Sequence, residues 1–105
     1  MPAIDETMVG TRLEICCVYE LAESEGGGEV LRWCQGEVMF VSDGTNITKP
    51  GSVRAKFKKG EAVWLKWDAI PERNEAEYES SQRLLKSKWN PRGKHTKDSW
   101  RLCVK

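Results

Sequence analysis

A chain of 105 residues can close one small core but cannot divide it between two, so a single domain is expected. Hydrophobic residues make up 39% and five residues are Trp, which excludes wholesale disorder even with 31% charged residues. The formal net charge is +1 with an isoelectric point near 7.6, which argues against a domain dedicated to polyanions.

That small net charge is laid out in blocks. Acidic residues outnumber basic ones nine to two over residues 1–48 and five to one over 68–80. Basic residues lead six to one over 49–67 and eight to one over 81–105. Such blocks read first as solvated surface, and second as basic segments that folding could join into a patch for phosphate backbones.

The amino-terminal "MPAIDETMVG" is acidic and lacks the basic stretch and apolar run of a secretory signal. No segment approaches 18 apolar residues, so a soluble intracellular protein without membrane contact is expected. Residues 1–9 read as a flexible lead-in to a domain over 10–105. From Arg12 the chain alternates, with Leu13, Ile15, Cys17, Tyr19 and Leu21 on one side and Arg12, Glu14, Cys16, Val18 and Glu20 on the other. This period of two predicts a strand with one buried face, and Gly26, Gly27 and Gly28 permit a hairpin turn after it.

The second strand, in "LRWCQGEVMFVSDG", alternates imperfectly: Cys34, Gly36 and Val38 share a face, and Val41 joins them only if a bulge absorbs one residue. Gly36 leaves room for another strand to approach closely. Residues 45–61 read as a long loop, with a short irregular strand around 53–57. A third strand, "EAVWLKWD", places Val63, Leu65 and Trp67 on one face and Trp64 and Lys66 on the other. After a polar connection, a fourth strand is expected over 82–89 and a fifth over 99–104. No helical periodicity of ten residues is visible, so the fold class is mainly β. Five short strands, one of them bulged, suit a small bent barrel with two long loops better than a sandwich.

Cys16, Cys17, Cys34 and Cys103 show no CxxC pair and no His at ligand spacing, so free thiols rather than a metal centre are expected. Adjacent Cys16 and Cys17 must point to opposite faces of their strand. Trp64, Trp89 and Trp100 read as core residues, and His95 as a surface residue.

Trp33, Gly36, Val38 and Val41 place a small residue three positions after a Trp and apolar residues at five and eight. Together with Gly10, Leu13 to Ile15 and the strand from Val63 to Asp68, this pattern resembles the first three strands of a Tudor-like domain of the Royal superfamily. The resemblance implies a five-stranded, strongly bent SH3-like barrel that binds methylated lysine or arginine of a protein tail, histone-like, in an aromatic cage. Carried over residue by residue, it assigns Tyr19, Trp33 and Trp67 to the cage and Asp68 to the charge partner, with a nuclear setting. In place of the family's short turn between strands three and four, this chain has a long acidic loop containing Tyr78. The chemistry is general: a methylated ammonium sheds water cheaply and is attracted to ring faces by about 0.5 to 2 kcal/mol per contact.

Catalysis has no support in the sequence, which carries no GxSxG, HExxH or Gly-rich phosphate loop, and no cofactor is expected. The alternative to a reader is a nucleic-acid-binding barrel. Its contacts would come from Lys49, Arg54, Lys56, Lys58 and Lys59 in one segment and Lys86, Lys88, Arg92, Lys94 and Lys97 in another, with Phe57 and Trp89 able to stack on bases. Either module would act as a monomer or within a larger protein.

Overall fold

The computed structural model describes residues 1–44, 46–47, 55–93 and 95–103, with the backbone alone for 46–47 and 55–56. The strands are β1 (Arg12–Glu20), β2 (Glu29–Val41), β3 (Asn46–Ile47), β4 (Ala55–Lys56), β5 (Ala62–Trp67), β6 (Tyr78–Arg83) and β7 (Trp100–Leu102). Five of them form an antiparallel sheet in the order β6-β5-β2-β1-β7, and β3 and β4 pair separately. The main sheet is not closed: among the described residues no ladder joins β6 to β7. The helical content of the described residues is a set of 3-10 turns of three residues, at Glu6–Met8, Glu23–Glu25, Pro71–Arg73 and Lys86–Lys88.

The period of two in β1 is realised as read. Leu13 and Ile15 are buried, and the ladder pairs Leu13 with Gly36, Ile15 with Cys34 and Cys17 with Arg32. Directly opposed residues share a face, so β1 and β2 contribute Leu13, Ile15, Cys34 and Val38 to one core. Val63, Leu65 and Trp67 of β5, Leu84 and Trp100 complete it, and Met8 closes one end. Cys16 is buried on the reverse face, where residues 98–99 pair with it. All four cysteines are free thiols.

The bulge in β2 falls where the broken alternation requires it. Val38 pairs with Leu65 and Phe40 with Trp64, leaving Met39 as the extra residue. Gly36 sits opposite Trp67, and a Cβ there would lie 3.0 Å from the Lys66 carbonyl oxygen and 3.4 Å from the Trp67 Cα. A side chain there would push the β5 backbone back by a few tenths of an ångström, so the glycine permits this close approach. A second, smaller cluster lies on the reverse face, where Ala62 and Trp64 meet Met39 and Phe57.

Three sequence expectations change. The fourth strand is Tyr78–Arg83, not 82–89; residues 86–88 form a 3-10 turn that ends at Trp89. A polar edge strand gives no hydrophobic alternation to read, because its ladder to β5 and not its side chains holds it. β4, Ala55–Lys56, falls within the short irregular strand read around 53–57, whose residues 53–54 lie outside the described residues, and its pairing with Asn46–Ile47 turns part of the anticipated loop into a ladder. The last strand spans three residues, with Val104 outside the description.

Trp64 and Trp100 are buried as expected, and Trp89 lies half-buried against the core with its ring 4.8 Å from that of Trp100. No helix among the described residues is long and apolar enough to cross a membrane.

Candidate functional site

The β1–β2 register decides which of the four cage residues can meet. Tyr19 pairs with Val30, on the face that carries Ile15, Cys34 and Gly36, whereas Trp33 pairs with Cys16 and leaves the sheet on the other side. Trp67, opposite Gly36, shares the face of Tyr19. A single cage containing Tyr19, Trp33 and Trp67 is therefore excluded by parity along β2: odd and even residues cannot point the same way without a bulge between them, and the bulge comes later, at Met39.

Each of the four residues has its own surroundings. Trp33 is covered by Arg101, whose guanidinium carbon lies 3.8 Å from the ring centroid, and His95 approaches to 5.9 Å between centroids. Glu14 holds Arg101 in that position through a 3.1 Å ion pair. Trp67 is 5% exposed, donates its indole N–H to Ser80 Oγ at 2.7 Å, and plugs the core. The Asp68 carboxylate is paired with Arg12, and its amide donates to the Gln35 carbonyl at 3.0 Å.

Tyr19 is the residue with open chemistry around it. It lines a hollow of about 430 Å³ with Cys17, Val18, Glu75, Ala76 and Tyr78, between the end of β1 and the start of β6. Tyr78 stacks near-parallel to Trp67, 6.0 Å between centroids, and is 54% exposed. The Arg73 guanidinium carbon lies 4.3 Å above the Tyr19 ring. Arg73 Nε is 4.0 Å from Glu75 Oε1, too long for a hydrogen bond, and this buried nitrogen has no hydrogen-bond partner among the described residues. The Tyr19 ring and the Glu75 carboxylate both flank this cation.

The connection between β5 and β6, residues 68–77, builds this side of the hollow. Pro71–Arg73 turns once, Asn74 takes the left-handed conformation at φ 56°, and Ile70 pairs with Glu75. Asn is among the few residues that accept that conformation at low cost. Glu72 is paired with Arg32 of β2, which fastens the loop to the sheet.

Beneath the ring, Tyr19 Oη lies 3.1 Å from Cys34 Sγ. Hydrogen bonds from the Cys17 thiol and from Tyr19, with Arg32 nearby, lower the Cys34 thiol to about 6. The same contacts act oppositely on the donors: the bond to Cys34 and burial raise Cys17, and burial and the bond to Cys34 raise Tyr19. Cys34 itself is 6% exposed, so these bonds reach a thiol held inside the protein.

Of the basic residues, Lys58 and Lys59 lie exposed ahead of β5, Lys88 ends the 3-10 turn after β6, and Arg92 is in the following turn. Lys49, Arg54, the Lys56 side chain and Lys94 lie outside the described residues. No group of three or more metal-ligating side chains occurs among the described residues.

Arg73, Glu75 and Cys34 were not singled out by sequence reasoning. The signal for the first two was weak: a cation and a carboxylate flanking Asn74, close to Tyr78, in a loop whose fold depends on one left-handed residue. No family model matches the chain, and no curated protein and no solved structure matches it.

Proposed function

We propose that this chain is a non-enzymatic recognition module that takes a methylated lysine or arginine side chain of a protein tail into the hollow between Tyr19 and Tyr78. The fold reading that goes with it is a half-open, SH3-like barrel of Tudor type. It is supported by the strand order, the bulged β2 and the 3-10 turn that precedes the return of β7 to β1. The observation that carries the functional reading is Arg73, a cation resting 4.3 Å over the Tyr19 ring of the chain itself. A ring face that accommodates an internal guanidinium has the electrostatics that an external alkylated cation requires. Glu75 supplies the nearby negative charge, in the role that the sequence resemblance gave to Asp68.

The test is an NMR titration of the protein with otherwise identical peptides carrying unmodified lysine, trimethyl-lysine or dimethyl-arginine. Amides of residues 17–19 and 75–78 should shift selectively with a methylated peptide, and Tyr19→Ala should remove the response. Equal shifts for unmodified and methylated peptides, or shifts confined to the Trp33 face, would refute the reading.

A second reading is favoured by one observation. Leu84 donates its amide to the Glu61 carbonyl at 2.9 Å, which sets the turn carrying Lys58 and Lys59 at the same end of the β5–β6 pair as Lys86 and Lys88. Two basic segments distant in sequence are thus neighbours, as a phosphate-backbone contact requires. Binding of this kind falls steeply with salt, because each neutralised phosphate releases counterions. Sub-micromolar affinity for a nucleic acid at physiological salt would place this reading ahead of the first.

A further inference from the structure

β6 is an outer strand of the five-stranded sheet. The bond from the Leu84 amide to the Glu61 carbonyl fixes which of its backbone groups face β5. Hydrogen-bonded pairs recur at every second position, so Gln82, Ser80 and Tyr78 turn their N–H and C=O groups towards Val63, Leu65 and Trp67. Glu79, Ser81 and Arg83 turn theirs outwards. The strand contains no Pro, no Lys and no bulge, the features that usually stop an exposed edge from pairing with another chain.

The side chains along this edge are complementary to themselves under a two-fold rotation. In an antiparallel pair centred on Ser81, Ser81 faces its own copy and Glu79 faces Arg83 of the second copy, twice by symmetry. Centring on Glu79 or on Arg83 sets like charges against each other, and centring on Ser80 puts Glu79 opposite a serine. Both charged residues are already ordered: Glu79 accepts the Trp64 indole N–H at 2.9 Å, and Arg83 pairs with Glu61 at 2.9 Å.

We propose that the chain forms a two-fold symmetric homodimer by antiparallel pairing of β6 about Ser81, joining two five-stranded sheets into one. One strand edge buries less than the roughly 1,200 to 2,000 Å² of standard stable interfaces, so association is weak, with a dissociation constant on the order of tens to hundreds of micromolar.

Sedimentation velocity from about 10 µM to 1 mM tests it. The wild type should move from monomer towards dimer across that range. Ser81→Pro removes only an outward-facing N–H, so it should stay monomeric while retaining the wild-type circular dichroism spectrum. Glu79→Arg should also stay monomeric, and Glu79→Arg combined with Arg83→Glu should recover the dimer, because the charges are then exchanged across the pair. If Ser81→Pro fails to fold, the charge pair alone decides. A wild type that remains monomeric at 1 mM, or a dimer that persists unchanged in Glu79→Arg, would overturn the proposal.

Discussion

Trp33 stands directly across from Cys16 in the β1–β2 ladder, so its ring leaves the sheet on the side opposite Tyr19, beneath the guanidinium of Arg101. Its contribution should therefore be structural and modest. Trp33→Ala should destabilise the fold by about 1 to 2 kcal/mol, mainly through the lost cation–ring contact and partial burial. Trp67→Ala, which empties a core site and leaves Ser80 without its indole donor, should cost about 3 to 5 kcal/mol. Chemical denaturation of both variants checks the ordering, and equal losses would mean that the outer face is as tightly filled as the core.

Gly36→Ala tests the close approach of β5. The added methyl would sit 3.0 Å from the Lys66 carbonyl oxygen, and that neighbour is backbone, which cannot swing away. A loss of about 1 to 3 kcal/mol is expected, as for overfilling a tight site. A melting temperature unchanged within a degree would show that β2 and β5 can separate freely at this point.

The lowered Cys34 thiol gives stability a pH dependence with a defined sign. Cys34 is lowered to about 6, below the usual thiol range, so its contribution is fully present above the unfolded value and is lost as pH falls through 6. Cys17 and Tyr19 are raised, so their contribution is present below their ordinary values and is lost as pH rises beyond them. Stability should therefore climb from about pH 6 towards 8.5 by at most about 1.4 kcal/mol per pH unit, then decline. Denaturation midpoints across that range should show the climb in the wild type and lose it in Cys34→Ser. A midpoint flat from pH 6 to 8.5 in the wild type would mean that Cys34 is an ordinary neutral thiol.

Much of the fold was legible because the side chains that build it are the ones that alternate. β1, β2 with its bulge and β5 follow directly from Leu13 and Ile15, from the phase break between Val38 and Val41, and from Val63, Leu65 and Trp67. β6 was misplaced because Tyr78, Ser80 and Gln82 present no apolar period, and its position comes from backbone pairing alone. The site was less legible for a related reason. A strand-end Trp looks available whichever way it points, and only the pairing of Trp33 with Cys16 reveals that it faces away from Tyr19. The contacts that replace it, Arg73 on Tyr19 and Cys17 with Cys34, join residues far apart in sequence or held by a single left-handed turn at Asn74.

The central claim is that the Tyr19 ring is a cation site already occupied by the chain's own Arg73, and calorimetry of a trimethyl-lysine peptide with Arg73→Ala and wild-type protein tests it most directly. Removing an internal competitor worth about 1 kcal/mol should tighten binding about fivefold, while Tyr19→Ala in the same background should abolish it. Unchanged or weaker binding by Arg73→Ala, with the variant folded as the wild type is, would contradict the claim and make the Arg73–Tyr19 contact a purely structural one.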